Sequence, residues 1–391
     1  MSLNTNKANQ CTLLIAAICY TKNRNFFQMT RKEFSIDLVQ CIFRHGERTP
    51  RRTELPPNFT NYAMYEPWGL AQLTNEGKMT EFRIGSMLRE RYNTFLGNHY
   101  YPSDVYAYST DHDRTKTSLQ LVLAGLFRPN PFQMWNQNLP WLPIPTYCMP
   151  SRVDHLLKPD SSPIYLKLLN EVRKDQKFIE KLKPYGYLFK YINENTGANM
   201  KTSHELYETY NQLVAQKASK LPLPEWYSEE IFLKLQDIVK IEYEIRSYTL
   251  LQKRLNGGTI IKRFIENIII NAARRNPRKI YLYSGHEVNI AGLVKALNFT
   301  EPQLPPYGCA MIFEKLRNKD GKHYVRFLYW DTQKLVTINL PGQDDVCPFE
   351  KYLYMIKDLI PTEDESYHKW DYLTKQELRR LFDEIYFDIK Y

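Results

Sequence analysis

Residues 34–50 read Phe34-Ser35-Ile36-Asp37-Leu38-Val39-Gln40-Cys41-Ile42-Phe43, then Arg44-His45-Gly46-Glu47-Arg48-Thr49-Pro50. The first ten are rich in β-branched and aromatic residues, which predicts a strand buried on both faces. Gly46 lets the chain turn sharply without Cβ interference, and Pro50 keeps the strand from resuming. Two guanidiniums supply permanent, forked donors suited to tetrahedral oxyanions. The imidazole between them carries a lone pair that serves as nucleophile, base or metal ligand. Taken alone, the arginines and histidine read equally well as a basic strand end in water.

The same arrangement recurs twice. Asp104-Val105-Tyr106-Ala107-Tyr108-Ser109-Thr110 predicts a second strand, followed by Asp111-His112-Asp113-Arg114 and a helix with Leu119, Val122, Leu123 and Leu126. Thr110 and Asp113 stand at capping-box spacing, which puts Arg114 where helix-end N–H groups already favour an anion. Lys279-Ile280-Tyr281-Leu282-Tyr283-Ser284 predicts a third strand, ending in Gly285-His286-Glu287 and a helix through Leu297. Ligands of open α/β sheets bind outside the carboxyl ends of the strands. Three strand ends carrying arginines, two histidines and a carboxylate therefore converge on one pocket.

Between these stretches, Glu54 opens a polar loop to residue 67. Thr74 caps a helix over residues 75–95, with Met79, Phe82, Leu88 and Tyr92 near one face. Residues 129–163 are proline-rich and loop-like. Residues 164–256 are charged and helical in pattern, with Leu166, Leu169, Val172, Ile179 and Leu182 at helical spacing. Gly257-Gly258 breaks that pattern, and Ile261, Phe264, Ile265, Ile268, Ile269 and Ala272 mark a helix that Asn276-Pro277 stops. Short, antiparallel strands follow over 311–313, 324–330 and 335–340. Thr374 and Glu377 open a last amphipathic helix. The implied organisation is an N-terminal segment (1–33), an α/β core in two parts (34–163 and 257–391) and an inserted all-helical lobe (164–256).

Composition is globular, at 43% hydrophobic and 25% charged residues. The net charge of +10 is spread along the chain with acids among the bases, so no basic arm or RNA-binding strand emerges and nucleic acid is not expected as a partner. No stretch reaches the length of a transmembrane helix. Residues 12–19 form a short apolar, leader-like stretch after Lys7, and sequons at Asn58 and Asn298 fit a secretory route. Secretion or a lysosome is the favoured location, with the cytoplasm left open. The six cysteines show no zinc spacing. Cys41, inside the first strand, reads as a buried thiol.

Arg44-His45-Gly46-x-Arg48-x-Pro50 resembles the signature of the histidine acid phosphatases, branch 2 of the histidine phosphatase superfamily. Ser109-Thr110-Asp111-x-Asp113-Arg114 resembles a second element of that family, and Tyr283-Ser284-Gly285-His286-Glu287 a third. Gln72-Leu73-Thr74-x-x-Gly77, Leu340-Pro341-Gly342 and Cys347-Pro348 match its flanking segments. The likeness spans about residues 34–360 and is nearest to the animal lysosomal, prostatic and insect-venom type. It implies a phosphoglycerate-mutase-like three-layer α/β/α core with a mixed, mainly parallel sheet. It also implies hydrolysis of small phosphate monoesters at acidic pH without metal or cofactor, and a homodimer. His45 would be the phosphorylated nucleophile, Glu287 the proton donor, and Arg44, Arg48, Arg114 and His286 the phosphate ligands. Glu287 must carry a proton to donate it, while the arginines keep His45 unprotonated.

This chain departs from the family pattern in two ways. The usual donor is aspartate, and Glu287 is one methylene longer. Cys309 and Cys347 match family cysteines, but Gln343 and Ser162 stand where partners are expected, so the inherited disulfides do not carry over as a set. Rival readings are an inositol-phosphate phosphatase or phosphomutase of the same superfamily, or a catalytically impaired phosphate binder.

Overall fold

The computed structural model describes residues 34–274 and 277–366. The leader-like stretch at 12–19 and the last helix near 374–389 lie outside the described residues. The signature strand β1 (Phe34–Arg44) is followed by helix α1 (Asn75–Leu96), β2 (Val105–Thr110), α2 (Asp113–Leu126) and β3 (Tyr147–Met149). Next come helices α3 (Pro163–Arg173), α4 (Gln176–Leu182), α5 (Gly186–Thr196), α6 (Ser203–Ala218), α7 (Glu229–Ile245) and α8 (Leu250–Lys253). Then follow α9 (Thr259–Ala272), β4 (Ile280–Gly285), α10 (Glu287–Ala296), β5 (Ala310–Asn318), β6 (His323–Trp330), β7 (Leu335–Ile338), β8 (Cys347–Pro348) and α11 (Phe349–Ile356).

The strands form one mixed sheet in the order β3-β2-β4-β1-β5-β6-β7, with β8 on β6. β3, β2, β4 and β1 run parallel, and β5, β6 and β7 continue antiparallel. Because side chains alternate across a strand, β1 feeds two cores. Val39, Cys41 and Phe43 pack with Ile84 and Leu88 of α1 and Leu119 and Val122 of α2. Leu38 and Ile42 pack on the other face with Phe264 of α9 and Ile290 and Leu293 of α10. Each such side chain contributes about 1.5–3 kcal/mol by leaving water. The result is the expected α/β/α layering, with β1 covered on both faces.

Registry places the site. Arg44 pairs with Gly285 across β1 and β4, and Ser109 pairs with Ser284 across β2 and β4. Three adjacent parallel strands therefore end level, side by side. A helix turn begins after two of them, since Asp113 and Glu287 open α2 and α10.

Several local expectations are corrected. Thr74 does cap α1, accepting from the Gly77 N–H, but Met79 is 48% exposed and the inward stripe runs through Thr80, Glu81, Ile84, Leu88 and Tyr92. The first turn of α1 lies under the signature loop, where backbone meets backbone and apolar bulk would not fit. A Cβ on Gly46 would meet the Gly77 carbonyl oxygen at 2.3 Å, and one on Gly77 the Glu47 oxygen at 2.1 Å. Gly46 thus serves close approach rather than a turn. Gly257 and Gly258 do not break the helix either: they sit in a π-turn joining α8 to α9, held close to the Gly292 and Leu359 carbonyls. Helix α9 ends at Ala272, ahead of the expected stop, of which Asn276 lies outside the described residues. Leu166 and Ile179 face water while Leu169 and Val172 are buried. The proline-rich loop contains the edge strand β3, too short to announce itself by alternation. Among the described residues the cysteines are all unpaired: Cys41, Cys309 and Cys347 are buried and Cys148 is exposed.

Candidate active site

A cavity of about 430 Å³ opens at the level ends of β1, β2 and β4. Its walls include His45, Arg48, Arg114, His286 and Glu287. The sequence-predicted residues are therefore brought together, with Arg44 set just behind them.

His45 is pinned by its backbone, whose N–H donates to the Gly285 carbonyl at 3.1 Å. Its Nδ1 lies 2.9 Å from the Gly46 carbonyl oxygen. A carbonyl only accepts, so Nδ1 carries the hydrogen and Nε2 keeps the lone pair. Burial, with Arg114, Arg48 and Arg44 close by, holds the imidazole well below the ordinary histidine range. Its surroundings favour the neutral ring, with the lone pair on Nε2.

His286 packs edge-on against His45, with ring centroids 5.5 Å apart, and against His112 at 5.3 Å. Its Nε2 lies 3.0 Å from Thr110 Oγ1. The Thr115 hydroxyl donates to backbone carbonyls and lies 2.9 Å from Thr110 Oγ1. Thr110 thus spends its hydrogen on Thr115 and accepts from His286. The expected capping box is absent: His112 is the N-cap of α2, and Thr110 serves the site instead. Burial and Arg114 hold His286 well below its ordinary range.

The three arginines differ in what they hold. Arg44 lies with Nε 3.2 Å from Glu287 Oε2, donates to the Pro305 carbonyl at 2.6 Å, and stacks 4.0 Å over the Tyr307 ring. Arg48 makes a fork to Glu54 at 2.8 and 2.6 Å. Arg114, the second residue of α2, is 8% exposed, and its Nε has no hydrogen-bond partner among the described residues. Burial and the nearby Arg48 and Arg51 push its guanidinium down from the usual arginine range. An anion is what this group lacks.

The surroundings of Glu287 favour its carboxylate form. Burial pushes its carboxyl upward, but the Arg44 ion pair, the neighbouring His286 and a hydrogen bond from the Tyr207 hydroxyl outweigh burial and hold it below the ordinary carboxylate range.

Sequence reasoning missed Tyr207 and Glu54. Tyr207 is one tyrosine among 29, in a helix with no motif. Glu54 opens a stretch polar enough in sequence to predict a loop in water, yet it is buried and takes both Arg48 and Arg51. His204 also lines the cavity, and no motif in the sequence marks it. Glu54→Gln is expected to lower unfolding free energy by about 3 kcal/mol, since it leaves buried guanidiniums without their carboxylate. Its pKa falls from 4.5 to about 2 through Arg48 and Arg51, against the opposing effect of burial. That stabilisation is complete above about pH 4.5 and is lost as pH falls towards 2. Urea denaturation at pH 5 and pH 2.5 checks both: the variant should differ from the parent clearly at the first and much less at the second.

Among the described residues no group of histidine, cysteine, aspartate or glutamate side chains is placed to hold a metal ion, and no helix is long and apolar enough to cross a membrane.

Residues 35–330 match the histidine phosphatase superfamily (branch 2), and the chain belongs to that family. It is 38% identical over 336 residues to venom acid phosphatase Acph-1 of Apis mellifera, covering 84% of this chain and 86% of that one. It is 31% identical over 340 residues to prostatic acid phosphatase of Rattus norvegicus, covering 84% and 87%. Among solved structures, the apo form of Hafnia alvei phytase superimposes with a TM-score of 0.65 at 18% identity, covering 86% of this chain and 99% of that one. At that identity the likeness concerns the fold.

Proposed function

We propose that this protein is a phosphomonoesterase working at acidic pH through a phosphohistidine on His45. Nε2 of His45 attacks phosphorus, the bond to the leaving oxygen breaks, and Glu287 supplies that oxygen with a proton. Water then cleaves the phosphorus–nitrogen bond and releases phosphate. Arg114 holds non-bridging oxygens as charge redistributes, helped by the Nε of Arg48, which the fork to Glu54 leaves without a partner among the described residues, and by His286 when a bound anion favours its protonation. Arg44 acts from behind, through Glu287. Below about pH 6 a phosphate monoester carries a proton of its own. The ionised Glu287 accepts that proton and passes it to the leaving oxygen, which accounts for an acidic optimum.

The observation that carries this reading is the buried, unpartnered Arg114 sharing a cavity with a neutral imidazole whose Nε2 keeps its lone pair. The relatives' names, acid phosphatases of venom and prostate, agree with it. The rim sets Asp160, Glu205 and Glu208 beside Lys158, and two of its other cations are already paired, which favours simple monoesters over inositol polyphosphates. Arg51 already forks onto Glu208 at 2.8 Å twice, and Arg246 onto Asp160 at 2.9 and 3.1 Å, while Glu205 adds a further negative charge. The deciding assay is hydrolysis of p-nitrophenyl phosphate near pH 5 by the full chain. Saturable turnover is expected, with kcat/KM for inositol hexakisphosphate lower by about 10²-fold because extra phosphates meet carboxylates. Phosphate binding without turnover would return the protein to the class of binders.

A further inference from the structure

Glu287 is held at both oxygens by residues distant in sequence. Arg44 lies 3.2 Å from Oε2, and the Tyr207 hydroxyl donates to Oε1. Tyr207 belongs to α6, in the helical stretch rather than on the sheet. Its ring stacks on His204 at 5.7 Å and 20° and meets Tyr243 edge-on at 6.2 Å. The Arg246 guanidinium, anchored on Asp160, lies 5.8 Å from the ring centroid. The hydroxyl is therefore delivered by a ring fixed on several sides. A glutamate at a helix start has one more rotatable bond than an aspartate, and without a fixed partner its carboxyl would sample several positions.

We propose that Tyr207 is a positioning residue for the proton donor: it holds the Glu287 carboxyl where it can serve the leaving oxygen, and sets the pH at which that carboxyl takes up a proton. The inference rests on Glu287 being the donor. Burial, with Glu287 and Tyr243 nearby, keeps the Tyr207 hydroxyl protonated far above its ordinary range. A hydrogen bond given to a carboxylate favours its charged form, so removing the hydroxyl eases protonation. Arg44, Arg51, Arg114, His286, Tyr243 and Tyr307 also face Glu287, and Tyr207→Phe removes none of them.

The test places Tyr207→Phe in the parent and in Glu287→Gln, using the full chain. Rates on p-nitrophenyl phosphate and glycerol 2-phosphate are followed from pH 3 to 7. In the parent, kcat on the alkyl phosphate should fall about 10–100-fold and on the aryl phosphate under about threefold. The acidic limb of kcat/KM should move up by about one pH unit. In Glu287→Gln the second change should add under about twofold. Equal losses on both substrates with an unmoved profile, or full additivity, would overturn the proposal. If Glu287→Gln itself shows no leaving-group selectivity, the donor reading falls and takes the proposal with it. If that variant is selective and Tyr207→Phe is not, only the proposal falls. Should Tyr207→Phe melt early, Glu287→Asp decides. Its carboxyl withdraws about 1.5 Å from the hydroxyl, so the acidic limb should again rise, and an unmoved limb would count against Tyr207.

Discussion

His45→Ala should lower kcat on any phosphate monoester by at least about 10⁴-fold, or about 5.5 kcal/mol in the activation barrier. It should also abolish the acid-labile phosphoenzyme trapped by rapid quench with labelled substrate. The size follows from the site. The lone pair sits on Nε2, backbone bonds fix the ring, and the adjoining imidazole of His286 is committed to Thr110. The surrounding arginines would remain, so the variant should still bind inorganic phosphate with affinity within about tenfold of the parent. Label appearing on another residue would remove His45 from the nucleophile's role. The pH dependence carries a sign as well. The folded His45 titrates well below 6.5, so lowering pH through 6.5 does not silence it. An unfolded chain takes up that proton, and the stability contributed by neutral His45 is therefore present above pH 6.5 and lost as pH falls towards its folded pKa.

Glu287→Gln separates substrates by leaving group. Alkyl phosphates should lose about 10²–10⁴-fold in kcat, the usual range for a missing general acid. p-Nitrophenyl phosphate, whose phenolate leaves with little help, should lose under about tenfold. The amide keeps the length of the side chain and can still meet the Tyr207 hydroxyl, but it cannot carry the proton. Arg44 would lose its buried counter-charge, so a lower melting temperature is expected beside the kinetic effect. Equal losses on both substrates would point to a damaged site rather than a missing proton.

The three strands that carry the site and the polar groups at their ends are legible because each is a local pattern, whereas the edge strand β3 and the order of the sheet are not. Ten residues, seven of them apolar, followed by Arg44 and His45, or Lys279-Ile280-Tyr281-Leu282-Tyr283-Ser284 followed by Gly285 and His286, declare a strand and its turn within a few residues. Gly46 was noticed for the wrong reason: its requirement comes from Gly77, which reaches the loop only after α1 has packed. Met79 misled because a helix stripe read from apolar residues alone overlooks a first turn buried against backbone.

The amino-acid sequence by itself determined that three strand ends would present arginine, histidine and a carboxylate, since those residues adjoin motifs short enough to be specified locally. Which charges are free and which are spent was decided only by the tertiary structure. Arg48 is occupied by Glu54 and Arg44 by Glu287, whereas Arg114 has no carboxylate paired with it among the described residues. Tyr207 reaches Glu287 from 80 residues away. Electrostatic pairing in a buried site depends on distances of a few ångströms between side chains, and chain spacing does not encode those distances.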